Sequence, residues 1–187
     1  MATSYSTQNQ LLLNNLLEWY KDTKNIDNML SIINGKSSLS LRIVDWFTTN
    51  YAKKHGTIYH INKHDNNIRF SVYSDYKLKL KAYSKKRFDP FCRWARINIP
   101  YNENTQVITT IGQLNFFKWA LENKVIEYIE QNYKAIELDM NNRNSTSKRK
   151  KQMNIADNST RKKREELSIS ATKSIKKENI EITLQFN

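Results

Sequence analysis

Residues 141–179 contain no aromatic side chain and few large apolar ones, whereas Trp, Tyr and Phe total 21 over the chain. Only the part before residue 142 can therefore bury enough apolar surface to offset the entropy of ordering. The stretch after it, rich in Ser, Asn and Lys, is expected to remain disordered. A chain of 187 residues favours one domain and an appendage, and about 140 residues suffice for a core without staples. The boundaries drawn are a frayed N-terminus at 1–7, a globular domain at 8–142, a disordered basic tail at 143–179, and a terminal segment at 180–187. That last segment, Ile180 to Asn187, alternates apolar and polar residues and must pair with a sheet edge or stay loose.

The single cysteine, Cys92, rules out an internal disulfide and argues against a cysteine-based zinc site. It suits a reducing compartment. No apolar run approaches the roughly 18–20 residues that span a bilayer, and Met1–Tyr5 lacks the basic start and apolar stretch of a secretory signal. The expectation is a soluble intracellular protein with no membrane partner.

Periodicity predicts an amphipathic helix from Gln8 to about Lys21, carrying Leu12, Leu13, Leu16, Leu17 and Tyr20 on one side. A second helix, capped by Asn25, carries Ile26, Met29, Leu30 and Ile33 and ends at Asn34-Gly35. A third begins at Ser38 or Ser40, runs from Leu41 to about Lys54 with Ile43, Val44, Phe47 and Tyr51 inward, and stops at Gly56. Trp46 lies off the centre of that stripe. Thr57–Asn62 and Ile68–Tyr73 read as a half-buried hairpin. Residues 75–88 fit a basic strand or a helix, and the helix or an irregular basic segment is preferred. Phe88-Asp89-Pro90-Phe91 is a turn, because proline bars the preceding residue from helix. Arg96–Pro100 is a short strand. Thr110-Ile111-Gly112-Gln113 has the form of a capping box. It opens one long helix, or two with a break near Glu122–Lys124, ending around Met140. The expected class is α+β: a helix-dominated single domain with a small antiparallel hairpin or sheet.

Charge points to a partner. The net charge of +13 divides as +3 over 1–74, +6 over 75–101, −3 over 102–142 and +7 over 143–187. A basic excess gathered into two zones favours polyanions. In the tail, Lys148, Arg149, Lys150 and Lys151 form one block and Arg161, Lys162, Lys163 and Arg164 another. A flexible polycation gains affinity for DNA or RNA by releasing condensed counterions. Such blocks also resemble nuclear import signals, and a solvated charge run is the plain alternative. The first zone holds Lys77, Lys79, Lys81, Lys85, Lys86, Arg87, Arg93 and Arg96, interleaved with Tyr76, Tyr83, Phe88, Phe91 and Trp94. Aromatics among cations can stack on unpaired bases. Beside lysines in a small domain, however, they more often belong to the core.

Catalytic signals are weak. His55, His60 and His64 are close in sequence, but the local pattern is strand and turn, so no metal site is assigned. A lowered pKa at Cys92, beside Arg93, is less expected than a buried inert thiol. No phosphate loop, nucleophile elbow or paired-carboxylate motif occurs, so no catalytic residue and no cofactor is assigned.

Three stretches, Leu39–His55 (LSLRIVDWFTTNYAKKH), Lys81–Arg93 (KAYSKKRFDPFCR) and Thr109–Glu130 (TTIGQLNFFKWALENKVIEYIE), carry a resemblance. They resemble an uncharacterised small-protein family of the nucleocytoplasmic large DNA viruses, the giant viruses. The resemblance covers most of 8–142 and not the tail. It implies a protein made in host cytoplasm that works in a viral factory or is packaged in the virion; the basic blocks of the tail leave the host nucleus as an alternative. It implies no activity and no catalytic residues.

The functional expectation is a non-enzymatic accessory protein that binds DNA or RNA with weak sequence specificity in viral transcription, replication or genome packaging. The alternative is a structural or adaptor protein whose tail and terminal strand, residues 180–187, dock on a protein partner.

Overall fold

The computed structural model describes residues 8–63, 66–91, 95–102, 105–153 and 177–179. Helix α1, Gln8–Trp19, turns Leu16 fully inward, and Tyr20 just beyond it is buried. The Tyr20 hydroxyl donates to the Leu114 carbonyl at 2.9 Å. Burial, and then the nearby Glu122 charge, holds that hydroxyl well above the usual phenol pKa, so it remains a donor.

Helix α2, Thr23–Ile33, is capped by Asp22, whose side chain accepts from the Lys24 N–H at 3.0 Å. The expected cap, Asn25, instead lies inside the first turn. Its amide donates to the Trp19 carbonyl at 3.0 Å, satisfying the end of α1. Gly35 follows with φ +69°, the left-handed value that ends a helix cheaply.

Ser40 caps α3, Leu41–Trp46, by accepting from the Ile43 N–H at 3.3 Å. The winding then widens to a π-helical turn at Phe47–Tyr51, where the Ala52 N–H bonds back to the Phe47 carbonyl. The Thr48 and Thr49 hydroxyls both donate to the Asp45 carbonyl, at 3.1 and 2.7 Å. Helix α4, Ala52–His55, ends on Gly56 at φ +58°.

Strands β1, Ile58–Lys63, and β2, Asn66–Ser71, pair antiparallel with Tyr59 opposite Phe70 and Ile61 opposite Ile68. Of the face expected inward, Phe70 and Val72 are buried while Ile68 stays 44% exposed. Helix α5, Val72–Phe88, follows at once, settling the ambiguous segment as helix.

A second sheet joins β3, Arg96–Asn102, to β4, Thr105–Thr110. Strand β5, Lys177–Asn179, pairs antiparallel on the other edge of β4, placing Thr105 opposite Asn179. No strand was expected at 105–110. Its β-branched residues (Thr105, Val107, Ile108, Thr109 and Thr110) favour one without clean alternation.

The remaining helical run has two breaks: α6, Ile111–Glu122, α7, Val125–Gln131, and α8, Tyr133–Met153. Thr110 caps α6 as expected, accepting from the Gln113 N–H at 3.2 Å, while the Gln113 side-chain oxygen takes the Thr109 hydroxyl. Asn123 and Asn132 end α6 and α7, each side-chain amide donating to the carbonyl four residues back. Lys124 between them is left-handed at φ +55°. The last helix does not stop near Met140 but continues to Met153, since a helix anchored by buried Ile136 and Met140 elongates at little cost. The basic block Lys148–Lys151 therefore has helical backbone. Residues 154–176 and 180–187, which hold the rest of the expected tail and terminal segment, lie outside the described residues.

The molecule is thus a helix-dominated α+β protein with two small antiparallel sheets. Its core centres on α6, where Phe116 and Trp119 meet Phe88 with ring centroids 5.8 and 5.6 Å apart. Each fully buried phenyl contributes roughly 2–3 kcal/mol of burial. Helix α8 is held to α3 by Asp139, which accepts from the Trp46 indole at 3.1 Å and from Lys54. Burial alone raises that carboxyl, but the hydrogen bonds from Lys54 and Trp46 and the nearby charges bring it below the usual range.

Candidate nucleic-acid interface

The geometry of α5 sorts its cations. Val72 and Tyr76 are buried and Leu80 and Tyr83 half-buried, which fixes the inward row. Successive residues advance by about 100°, so Lys77 and Lys81 fall within about 40° of each other while Lys79 points roughly opposite. Lys77 and Lys81 accordingly form an exposed stripe with Ser74 and Leu78, the last 65% exposed. Lys79 is half-buried.

At Ser84 the backbone leaves the helix, with φ +63° and ψ 164°. That region is one that non-glycine residues occupy only at a cost. Beyond this kink Lys85 and Lys86 are exposed, and Arg87 is half-buried, donating to the Gln8 side chain at 3.3 Å. Asn115 on α6 pins this end by donating to the Arg87 carbonyl at 2.9 Å. The turn that follows is the one expected: Asp89 is extended and accepts from the Phe91 N–H at 2.9 Å.

Arg96 is exposed at the start of β3. Arg93, Trp94, Cys92 and the block Arg161, Lys162, Lys163 and Arg164 lie outside the described residues. The cations of 77–96 that are described therefore do not form one continuous face. They divide into the stripe, the post-kink pair, Arg96, and an inward group.

Three of the four interleaved aromatics that are described offer no stacking surface. Tyr76, Phe88 and Phe91 are 6%, 0% and 8% exposed, so their rings serve the core, and among the described members of the set Tyr83 alone is partly open. Lysines flank them because the helix alternates its faces, as the plainer reading of the sequence had it.

Of the inward cations Lys79, but not Arg87, lines a cleft of about 610 Å³ between α1, the hairpin, α5 and α6. Lys63 of β1, Lys79 of α5 and Lys118 of α6 line it, and all three are half-buried. Lys63 donates to the Asn123 side chain at 2.7 Å. Lys118 lies 3.8 Å from Glu122 and 5.9 Å from the Trp19 ring centroid. Lys79 makes no ion pair among the described residues. In the wall, Asp75 accepts from the Trp119 indole at 2.6 Å, joining α5 to α6. Ile68 and Leu78, two of the large apolar side chains left exposed, also line this cleft. Lys63 and Lys118 carry no local sequence signal, because they belong to elements brought together only by folding.

Of the histidines, His55 packs on the Tyr51 ring at 4.2 Å between centroids, His60 is exposed on β1, and His64 is outside the described residues. Among the described residues no three His, Cys, Asp or Glu side chains gather into a metal-binding set. None of the described helices is long and apolar enough to cross a membrane.

A family described as of unknown function, DUF7197, matches residues 3–166. An uncharacterized protein of Acanthamoeba polyphaga mimivirus is 44% identical over 148 residues, which cover 76% of this chain and 57% of that protein. The chain thus spans little more than half the length of that relative. No solved structure matches. The likeness to an uncharacterised giant-virus family, read from the three stretches above, agrees with these matches.

Proposed function

We infer that this chain, which belongs to the family of unknown function DUF7197, is a non-enzymatic accessory protein that associates with nucleic acid through its basic side chains. The mimivirus relative supports a setting in a giant virus; a place in the cytoplasmic factory or the virion, and a task in transcription, replication or genome packaging, belong to the same proposal.

The observation that carries the reading is on α5. Lys77, Lys81 and Lys85 are exposed, and among the described residues none of them is ion-paired. Unpaired surface lysines, two on the helix before the kink and one just after it, meet phosphate oxygens without first giving up an internal partner. Each contact releases condensed counterions, so binding is entropic and salt-sensitive. The stripe presents ammonium groups and no arginine or amide to pair two-pronged with a base edge, which suits weak sequence readout.

The test is fluorescence anisotropy of the full chain with labelled oligonucleotides. If about six phosphates are contacted, affinity falls on the order of a thousandfold between about 50 and 200 mM salt. A binding curve flat over that range overturns the reading.

A further inference from the structure

We propose that the cleft between α1, the hairpin, α5 and α6 seats a single nucleoside phosphate. Its phosphate meets Lys79 and its base lies against the lip made by Ile68 and Leu78, the nucleotide being presented by a single strand rather than a duplex.

This deepens the nucleic-acid reading and rests on it for the source of the nucleotide. The volume of about 610 Å³ lies within the range of small-ligand sites. Lysines from three separate elements converge there, and two have their heads fixed: Lys63 on Asn123 and Lys118 beside Glu122. Lys79 alone of the three lacks a fixed partner among the described residues, although it is half-buried. A half-buried ammonium group facing a cleft is best satisfied by an anion entering it.

The rest of the wall says what the anion is attached to. Ile68 and Leu78 are 44% and 65% exposed, an apolar lip that water solvates poorly and a flat ring would cover. Asp75, Glu122 and Asn15 supply acceptors and an amide along the same wall, which match the polar edges of a heterocycle and not an acyl chain. In a duplex the base is stacked and paired, so only an unpaired nucleotide can enter.

The experiment uses the full chain and compares charge-matched variants on the same helix. Lys79→Gln removes a cleft lysine and Lys77→Gln a stripe lysine. Each is titrated against a labelled single strand of about 12 nucleotides and its duplex. Lys79→Gln is expected to weaken single-strand binding at least about fivefold more than duplex binding, and Lys77→Gln to weaken both alike. Unchanged melting temperatures verify folding. Leu78→Ser, at an exposed position, should reproduce the single-strand loss without touching charge.

Equal losses on both substrates for both variants overturn the cleft assignment and leave the accessory-protein reading standing. A wild-type chain that binds neither strand nor duplex, yet is stabilised by millimolar nucleoside monophosphate in a manner lost in Lys79→Gln, overturns the strand as source. It overturns the accessory-protein reading with it and assigns the cleft to a free nucleotide. No response to any of the three overturns both.

Discussion

Helix α6 buries eight of its 12 residues, whereas α5, which packs against it, buries three of 17. The two are joined by apolar contact and by the Asp75–Trp119 hydrogen bond, so they share one environment and differ in what they do with it. In α6 two-thirds of the residues are fixed by packing, and the helix has little surface left to offer beyond Lys118 and Glu122. In α5 a single row fixes the helix, and that row alone decides which lysines face water and which face the cleft. A sparse set of buried contacts can therefore partition a run of like charges into two chemically different groups.

The largest effect that tests this division is on stability. Phe116→Ala, at a fully buried ring in α6, should cost about 3–5 kcal/mol, read as a lower denaturant midpoint at unchanged slope. Lys81→Ala on α5 should shift it by no more than about 0.5 kcal/mol. Comparable losses at the two sites would break the comparison.

A smaller effect sharpens it at the joint. Asp75→Ala leaves the Trp119 indole N–H without its acceptor and should cost about 1–3 kcal/mol, whereas Asp75→Asn, which keeps an oxygen there, should cost less than half as much. If the two variants unfold alike, the carboxylate's charge and not its acceptor role joins the helices.

The smallest effect has the opposite sign. Ser84 holds φ +63° inside α5, and Ser84→Gly removes the clash of its Cβ. The variant should gain about 1 kcal/mol, and a loss in the same thermal melt would show that the Ser84 side chain is needed at the kink.

The elements legible in the sequence are those whose burial is dense enough to impose a period. The leucines of α1, the Ile26–Ile33 face of α2 and the Leu114–Leu121 face of α6 repeat at helical spacing, and Ser40 and Thr110 cap where their hydroxyls predict. Asn25 misleads because Asp22, three residues earlier, offers a stronger acceptor, freeing Asn25 to bond Trp19 instead. Strand β4 escapes because its β-branched residues stand side by side. The candidate interface is half legible: Lys77 and Lys81 are visible in the sequence as charges, but their separation from Lys79 depends on a helical phase that an alternating Lys-Leu-Lys-Leu run does not reveal. Lys63 and Lys118 join the cleft only through tertiary contact, and no linear pattern records that.

The π-helical turn at Phe47–Tyr51 makes the domain sensitive to arithmetic as well as to chemistry. It lodges one surplus residue in the winding, so everything downstream inherits a rotational phase set by a count. Shortening the stretch by a single residue would restore ordinary α-helical pitch and swing Ala52, Gly56 and the attached hairpin by roughly 100° about the axis. Buried Ala52 would then face water, and Lys63 would leave the wall it shares with Asn123. Length variation among relatives should accordingly be absorbed in the connections between strands, while the segment from Asp45 to Ala52 keeps its number of residues even where their identities drift.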